Sequence, residues 1–150
     1  MSFSGKTVLI TGAGSGMGRL AVRNMVAAGA RVAALDVNEA GLAETAAGHG
    51  SVRSFVVDVS DFAHTTEVVR EVEAELGPIA RVYNAAAIMP LGLLLEQDIE
   101  LIHKIMAINY GGVVNIAKAT LPAMLEHGSG DMILFASMAG WLPTIYMGAY

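Results

Sequence analysis

Thr7-Val8-Leu9-Ile10-Thr11-Gly12-Ala13-Gly14-Ser15-Gly16-Met17-Gly18 is the stretch that decides the fold. Thr7 to Ile10 is a short, unbroken, largely apolar run, as expected of a strand buried on both faces, and such strands belong to parallel sheets. The glycines that follow mark a sharp turn. From Arg19 to Ala28 the pattern becomes helical, and Gly29 closes it. Strand, glycine turn and helix in that order open a βαβ unit.

Downstream the same alternation continues. Arg31 to Leu35 reads as a second strand, Glu39 to Ala47 as a helix, Val52 to Val57 as a third strand, and Asp61 to Leu76 as a long helix. In that helix Phe62, Thr65, Val68, Val69, Val72 and Leu76 keep a 3.6-residue period, with Glu67, Arg70, Glu71, Glu73 and Glu75 on the other side. Gly77-Pro78 stops it, because proline cannot continue a helix, and Ile79 to Tyr83 is the fourth strand. After a Pro90-Leu91-Gly92 turn, two helices are expected, from about Glu96 to Ile108 and from about Gly112 to Glu126. Gly128-Ser129-Gly130 then precedes a fifth strand, Met132 to Ala136. Five strands with right-handed crossovers make an α/β fold, a doubly wound parallel sheet with helices on both faces. Ligands of such sheets bind beyond the carboxyl ends of the strands.

Composition agrees with one α/β domain. The chain has 150 residues, 54% of them hydrophobic and 15% charged, which is enough apolar material for a core on each side of a sheet. No apolar run approaches the roughly 18 residues of a membrane-spanning helix, so no membrane partner is expected. A net charge of −5 without a basic patch argues against nucleic acid. The absence of cysteine excludes disulfides and thiolate chemistry, and the Met1-Ser2-Phe3-Ser4-Gly5-Lys6 start lacks a signal peptide's apolar segment, so a cytoplasmic location is expected. His49, His64, His103 and His127 are scattered without a metal-ligand spacing, and no metal is expected.

The glycine turn does not fit the usual Gly-x-Gly-x-x-Gly dinucleotide pattern. Counted from Gly12 and Gly14 the third place is Met17, and counted from Gly14 and Gly16 it is Arg19. The pattern that holds is Thr-Gly-x-x-x-Gly-x-Gly, with Gly12, Gly16 and Gly18. Residues without Cβ let backbone approach a pyrophosphate, whose charge sits well near the free amides of a helix N-terminus. Gly12, Ser15, Gly16, Met17 and Gly18 are therefore candidate cofactor contacts, the alternative being a tight packing turn. Gly5-Lys6-Thr7 imitates the end of a P-loop, but it precedes its strand instead of following one.

Asp36 ends the second strand twenty residues after Gly16. A carboxylate there can accept hydrogen bonds from the adenosine ribose hydroxyls and repels a 2′-phosphate. With Ser15 rather than a basic residue in the turn, NAD is favoured over NADP. Asp36 is also compatible with an N-cap for a helix entered through Val37-Asn38-Glu39.

Three further residues complete a pattern: Asn109 in Asn109-Tyr110-Gly111-Gly112, Ser137 in Phe135-Ala136-Ser137-Met138-Ala139-Gly140, and Tyr150, thirteen positions after Ser137. With the glycine turn they make the whole chain resemble the short-chain dehydrogenase/reductase family. The resemblance implies a Rossmann-type fold and an NAD-dependent oxidoreductase that moves hydride between nicotinamide and an alcohol or carbonyl. Tyr150 would be its general acid/base, Ser137 would hold the substrate oxygen, and Asn109 would complete the proton path. Asp58-Val59 resembles the adenine-contacting pair, although Asp58 could also cap the helix beginning at Asp61. Asn84-Ala85-Ala86-Ala87 stands where the family has Asn-Asn-Ala-Gly. Asn84 would tie the fourth strand to its neighbours, and contacts at Ala85 and Ala86 would fall to backbone groups.

In the family the tyrosine is followed, as Tyr-x-x-x-Lys, by a lysine that helps make the phenol acidic, since a phenol's ordinary pKa of about 10 is too high for this work. That lysine would lie past Tyr150, so the working enzyme is expected to continue with further strands and helices. A homodimer or homotetramer is also implied. Ile102, Ile105 and Met106, and Val113, Val114 and Ala117, offer faces for either subunit contact or core. Tyr146, Trp141, Leu142 and Met147 suggest an apolar pocket mouth, with core or subunit packing as alternatives. Two other functions remain open, a non-catalytic dinucleotide-binding module and an NADP-dependent carbonyl reductase.

Overall fold

A computed structural model describes residues 2–150. Five parallel strands, β1 (Thr7–Thr11), β2 (Arg31–Asp36), β3 (Val52–Val56), β4 (Ile79–Asn84) and β5 (Asp131–Leu134), form one sheet in the order β3-β2-β1-β4-β5. The chain starts in the middle, winds outward to β3, then returns to the other side of β1 for β4 and β5. The crevice of such a sheet opens where the order reverses, between β1 and β4. Thr11 at the end of β1 lies opposite Asn84 at the end of β4, so both strands deliver their following loops to the same point.

Every residue of β1 is buried, as its unbroken apolar run requires. Alternation sorts them. Val8 and Ile10 join Val22, Val32, Ala34 and Leu42 on the face covered by α1 (Gly16–Ala27) and α2 (Glu39–Ala46). Leu9 turns to the other face, with Leu35, Val69, Val72 and Ile116, under α3 (Phe62–Leu76) and α5 (Gly112–Glu126). Each such fully buried aliphatic side chain contributes about 1.5–3 kcal/mol of transfer free energy, so the centre of the sheet is its most firmly held part.

Helix ends follow local chemistry. Asn38 caps α2 by accepting from Gly41 N at 3.0 Å, and Asp61 caps α3 by accepting from His64 N at 3.0 Å. Neither Asp36 nor Asp58 is a cap. Asp36 Oδ1 accepts instead from Asn38 N, and Asp58 from Ser60. α3 buries Thr65, Val68, Val69, Val72 and Leu76 as the period predicts, but Phe62 at its first position stays 43% exposed, with Lys118 Nζ over its ring at 5.9 Å.

The largest departure from expectation lies between residues 96 and 126. Instead of two separate helices, α4 (Ile99–Met106) runs through a π-helical turn (Ala107–Gly111) directly into α5. Gly111 and Gly112 do not stop the helix, because both keep right-handed helical angles. Gly112 is there for closeness. A Cβ on it would lie 2.6 Å from Val59 Cγ2, so a larger residue would push α5 off the loop after β3. Ile105, a candidate contact residue, is fully buried, while Met106 and Val114 are exposed.

Elsewhere boundaries move by a few residues. α1 begins at Gly16 rather than Arg19, taking the last two glycines of the motif into its first turn, and β5 ends at Leu134, leaving Phe135 and Ala136 in the following loop. Among the described residues no helix is long and apolar enough to cross a membrane, and no three metal-ligating side chains gather.

Candidate functional site

A cleft of about 450 Å³ lies beyond the carboxyl ends of β1, β2, β3 and β4. The glycine turn contributes Gly12, Ser15, Gly16, Met17 and Gly18; β2 and the loop after it contribute Leu35, Asp36 and Val37; the loop after β3 contributes Val57, Asp58 and Val59; and the loop after β4 contributes Ala85 to Ile88. A second cavity of about 270 Å³ shares Met17 and Ala85 to Ala87 with the first and adds Asn84, Asn109, Ser137 and Tyr150. Every candidate cofactor-binding and catalytic residue thus lines one of two adjoining spaces. The three from separate parts of the sequence, Asn109, Ser137 and Tyr150, meet in the second.

The turn is built for close backbone approach. A Cβ on Gly18 would lie 2.0 Å from the Gly12 carbonyl oxygen, and one on Gly12 would lie 2.8 Å from the Ala85 oxygen, so neither position accepts a side chain. Ser15 sits at the N-cap of α1 and, unlike Asn38 and Asp61, makes no capping hydrogen bond with its side chain. The amides of the first turn have no intrahelical partners and are left facing solvent and cleft. With the positive end of the helix dipole behind them, they suit an anionic group such as a pyrophosphate.

Two carboxylates mark the far walls. Asp36 Oδ2 accepts from Gly14 N at 2.8 Å and Oδ1 from Asn38 N at 2.9 Å. A carboxylate has about four acceptor positions, so Asp36 retains capacity for a pair of hydroxyls. Asp58 accepts from Ser60 Oγ at 2.7 Å and Ser60 N at 2.9 Å. These bonds, with a smaller contribution from the charge of Lys104, hold its carboxyl below the usual range and therefore ionised at neutral pH.

Several supporting contacts lie beyond the sequence reading, although Thr11 belongs to its glycine pattern and Asn84 is the residue expected to tie the fourth strand to its neighbours. Thr11 Oγ1 donates to Asn84 Oδ1 at 2.6 Å and accepts from Ala86 N at 3.1 Å, joining the ends of β1 and β4 to the loop that follows. Asn84 is 3% exposed, and its Nδ2 has no partner among the described residues. Asn115 Nδ2 donates to Val59 O at 2.9 Å and Ser60 O at 3.2 Å, fixing the loop after β3 from α5. Its one sequence signal is an amide within the apolar first turns of its helix. Lys104 lines the cleft from α4, where nothing in its local sequence marks it.

Asn109 sits in the π-helical turn and grips Ile88 from both sides. Its Oδ1 accepts from Ile88 N and its Nδ2 donates to Ile88 O, each at 2.9 Å. π turns recur at functional sites because the extra residue re-aims a side chain. Ser137 opens a short 3₁₀ turn (Met138–Gly140), where its Oγ accepts from Ala139 N at 3.1 Å while its own O–H remains available. Tyr146 is exposed and takes φ +66°, and its carbonyl accepts from Gly92 N at 2.9 Å. Trp141 is 92% exposed and, like Leu142 and Met147, lines neither space, so none of the three is core or pocket wall here.

A family model described as short chain dehydrogenase matches residues 6–150. Among curated proteins the chain is 38% identical over 150 residues to a 2,5-dichloro-2,5-cyclohexadiene-1,4-diol dehydrogenase of Sphingobium indicum, covering 98% of this chain and 60% of that one. It is 40% identical over 154 residues to 17-beta-hydroxysteroid dehydrogenase 13 of Rattus norvegicus, covering 99% and 51%. Among solved structures, NAD+-bound xylitol dehydrogenase superposes with a TM-score of 0.92 at 27% identity, covering all of this chain and 60% of its own. Levodione reductase does so with a TM-score of 0.90 at 30% identity, covering 99% and 60%. The chain therefore spans about half to three fifths of the length of these relatives.

Proposed function

Because the chain belongs to the short chain dehydrogenase family, we propose that it is the cofactor-binding and partly catalytic portion of an NAD-dependent oxidoreductase acting on an alcohol or carbonyl. Support comes from one juxtaposition above all. The cleft lined by the glycine turn, Asp36 and Asp58 adjoins, through Met17 and Ala85 to Ala87, the cavity lined by Asn109, Ser137 and Tyr150. A dinucleotide needs two such compartments, one for each nucleotide.

The residues fit that group. Free amides at the start of α1 suit the pyrophosphate, Asp36 suits ribose hydroxyls and disfavours a 2′-phosphate, and Asp58 and Val59 flank the adenine end. Bound NAD supplies the acceptor for hydride from the substrate carbon. Ser137 Oγ would donate its free hydrogen to the substrate oxygen, and Tyr150 would take the proton from that oxygen as the phenolate in oxidation and return it as the phenol in reduction. Asn109, bonded to both backbone groups of Ile88, holds the loop after β4 against the π turn, which fixes the wall shared by the two compartments. Met17, Val113 and Phe135 give the second cavity apolar sides, which favours a substrate with hydrocarbon next to its oxygen.

The protein is proposed to act in the cytoplasm as a homodimer or homotetramer, which light scattering would test. The chemistry is tested by NAD titration followed by a screen of alcohols. Tyr150→Phe should retain NAD affinity within about twofold and lose turnover by a factor on the order of 10² or more, the usual contribution of a positioned acid/base. Turnover surviving in Tyr150→Phe would remove the mechanism, and failure of the unaltered chain to bind NAD would remove the cofactor.

A further inference from the structure

Asp36 is held from behind by a chain of polar groups that never touches the cleft. Arg19 Nε donates to Thr45 Oγ1 at 2.9 Å, and Thr45 Oγ1 lies 2.9 Å from both the Ala13 and the Gly41 carbonyl oxygens. The Ala13 carbonyl belongs to the same peptide unit as the Gly14 N–H, which donates to Asp36 Oδ2 at 2.8 Å. A guanidinium, a buried hydroxyl, one peptide group and a carboxylate thus stand in series. Each donor polarises the next acceptor, so such a chain is stronger than its separate bonds.

Arg19 also secures the peptide on the other side of Gly14. Its Nη2 donates to the Gly14 carbonyl and, at 3.3 Å, to the Gly41 carbonyl, and the same nitrogen pairs with Glu44 Oε2 at 3.0 Å. Both peptide units flanking the Gly14 Cα are therefore fixed by α1 and α2. No slack remains, since a Cβ on Gly14 would lie 2.9 Å from Asp36 Oδ2 and one on Gly41 would lie 2.6 Å from the Gly14 oxygen. Through Nε and Nη2, Arg19 is turned to the loop behind the carboxylate.

We propose that Arg19 and Thr45 are positioning residues for cofactor selectivity: through the Ala13–Gly14 peptide they fix the Asp36 carboxylate where it accepts the two adenosine ribose hydroxyls. The inference rests on the proposed assignment of Asp36 to that ribose. It predicts that loosening the chain harms a cofactor with free ribose hydroxyls and spares one whose 2′ oxygen carries phosphate, because the latter gains nothing from a well-placed carboxylate.

The test is titration of the full chain with NAD and with NADP in the unaltered protein, R19Q, T45V, D36A and R19Q/D36A. R19Q should weaken NAD about tenfold, the scale expected for one hydrogen bond to a charged group, and change NADP by less than about twofold. T45V, which keeps side-chain shape and removes the hydroxyl, should reproduce the direction if R19Q folds poorly. In the D36A background R19Q should have no further effect on NAD, since the group it positions is gone. Equal losses for both cofactors, or a loss persisting in R19Q/D36A, would make Arg19 a support of the turn alone and overturn the proposal. A larger loss for NADP would make it the phosphate's cation and overturn it equally. If the unaltered protein prefers NADP, or D36A leaves NAD binding intact, the assignment of Asp36 itself fails, a result separable from the others.

Discussion

Gly18→Ala is the substitution for which the structure sets the scale most directly. The new Cβ would sit 2.0 Å from the Gly12 carbonyl oxygen and 2.5 Å from its carbon, both backbone atoms that cannot rotate away. Ordinary contact begins near 3.4 Å, so turn and helix must part by about 1.4 Å (3.4 − 2.0). Overpacking against side chains costs about 1–3 kcal/mol, and a clash between two backbone segments belongs at or above the upper end, about 3 kcal/mol. For a chain of this size that corresponds to a fall in melting temperature of about 10 °C. Gly16 is the internal control. A Cβ there meets nothing within 4 Å, and only its φ of +48° opposes a side chain. Left-handed backbone costs about 1–2 kcal/mol, and alanine recovers about 0.4–1 kcal/mol by stiffening the unfolded chain, so Gly16→Ala should lose only about 1 kcal/mol. Thermal and urea denaturation of both variants beside the unaltered protein decides the matter. A Gly18→Ala protein as stable as Gly16→Ala would refute the claim that close approach, rather than backbone angle, fixes this glycine.

Two further substitutions probe the ends of the sheet. Thr11→Val keeps the shape of a buried side chain but removes the donor to Asn84 and the acceptor of Ala86 N, so urea denaturation should show a loss of about 2 kcal/mol, and no loss would mean that the network is idle. At the opposite end Arg81 meets Asp131 with two bonds of 2.5 Å, and the guanidinium holds the Asp131 carboxyl below the usual range. A depressed folded-state pKa stabilises the protein above the ordinary carboxylate value near 4 and ceases to do so as pH falls through the folded value. Asp131 is 43% exposed, which limits the effect to about 1 kcal/mol or less. Asp131→Asn should therefore melt lower than the unaltered protein at pH 7, with the gap closing towards pH 3; a gap of equal size at both values would count against the ion pair.

What the sequence revealed and what it hid divide along a physical line. Strands buried on both faces announce themselves through unbroken runs such as Val8-Leu9-Ile10, and α3 through its period, because burial selects residue type position by position. The glycine turn was legible for a similar reason, since close backbone approach at Gly12 and Gly18 and the left-handed backbone at Gly16 all favour glycine. The continuity of α4 and α5 through Gly111 and Gly112 was not legible, because glycine can interrupt a helix or let it touch a neighbour, and only the position of Val59 distinguishes the two. Thr45 and Arg19 stayed hidden, and Thr11 was marked only as the first residue of the glycine pattern, because their roles depend on partners up to 75 residues away in sequence and no local pattern carries that distance. Asp36 and Asp58 were found at the right place, while the capping role considered for each falls to Asn38 and Asp61, which directly precede the helices.

The first compartment is also firmly framed, and this bears on how binding and chemistry separate. It is bounded by Ala13, Leu35 and Val57, each 0–2% exposed, and by the bonds that converge on Gly14 and Asp58. Local opening costs most where many apolar contacts must be broken. On the proposed function, then, cofactor affinity is set in a rigid frame. Changes around Gly14 and Asp36 should move dissociation constants with little effect on turnover at saturation, which NAD titration beside turnover at saturating NAD checks. A proton transfer at Tyr150 Oη depends on sub-ångström placement, whereas a pyrophosphate seated on several amides does not.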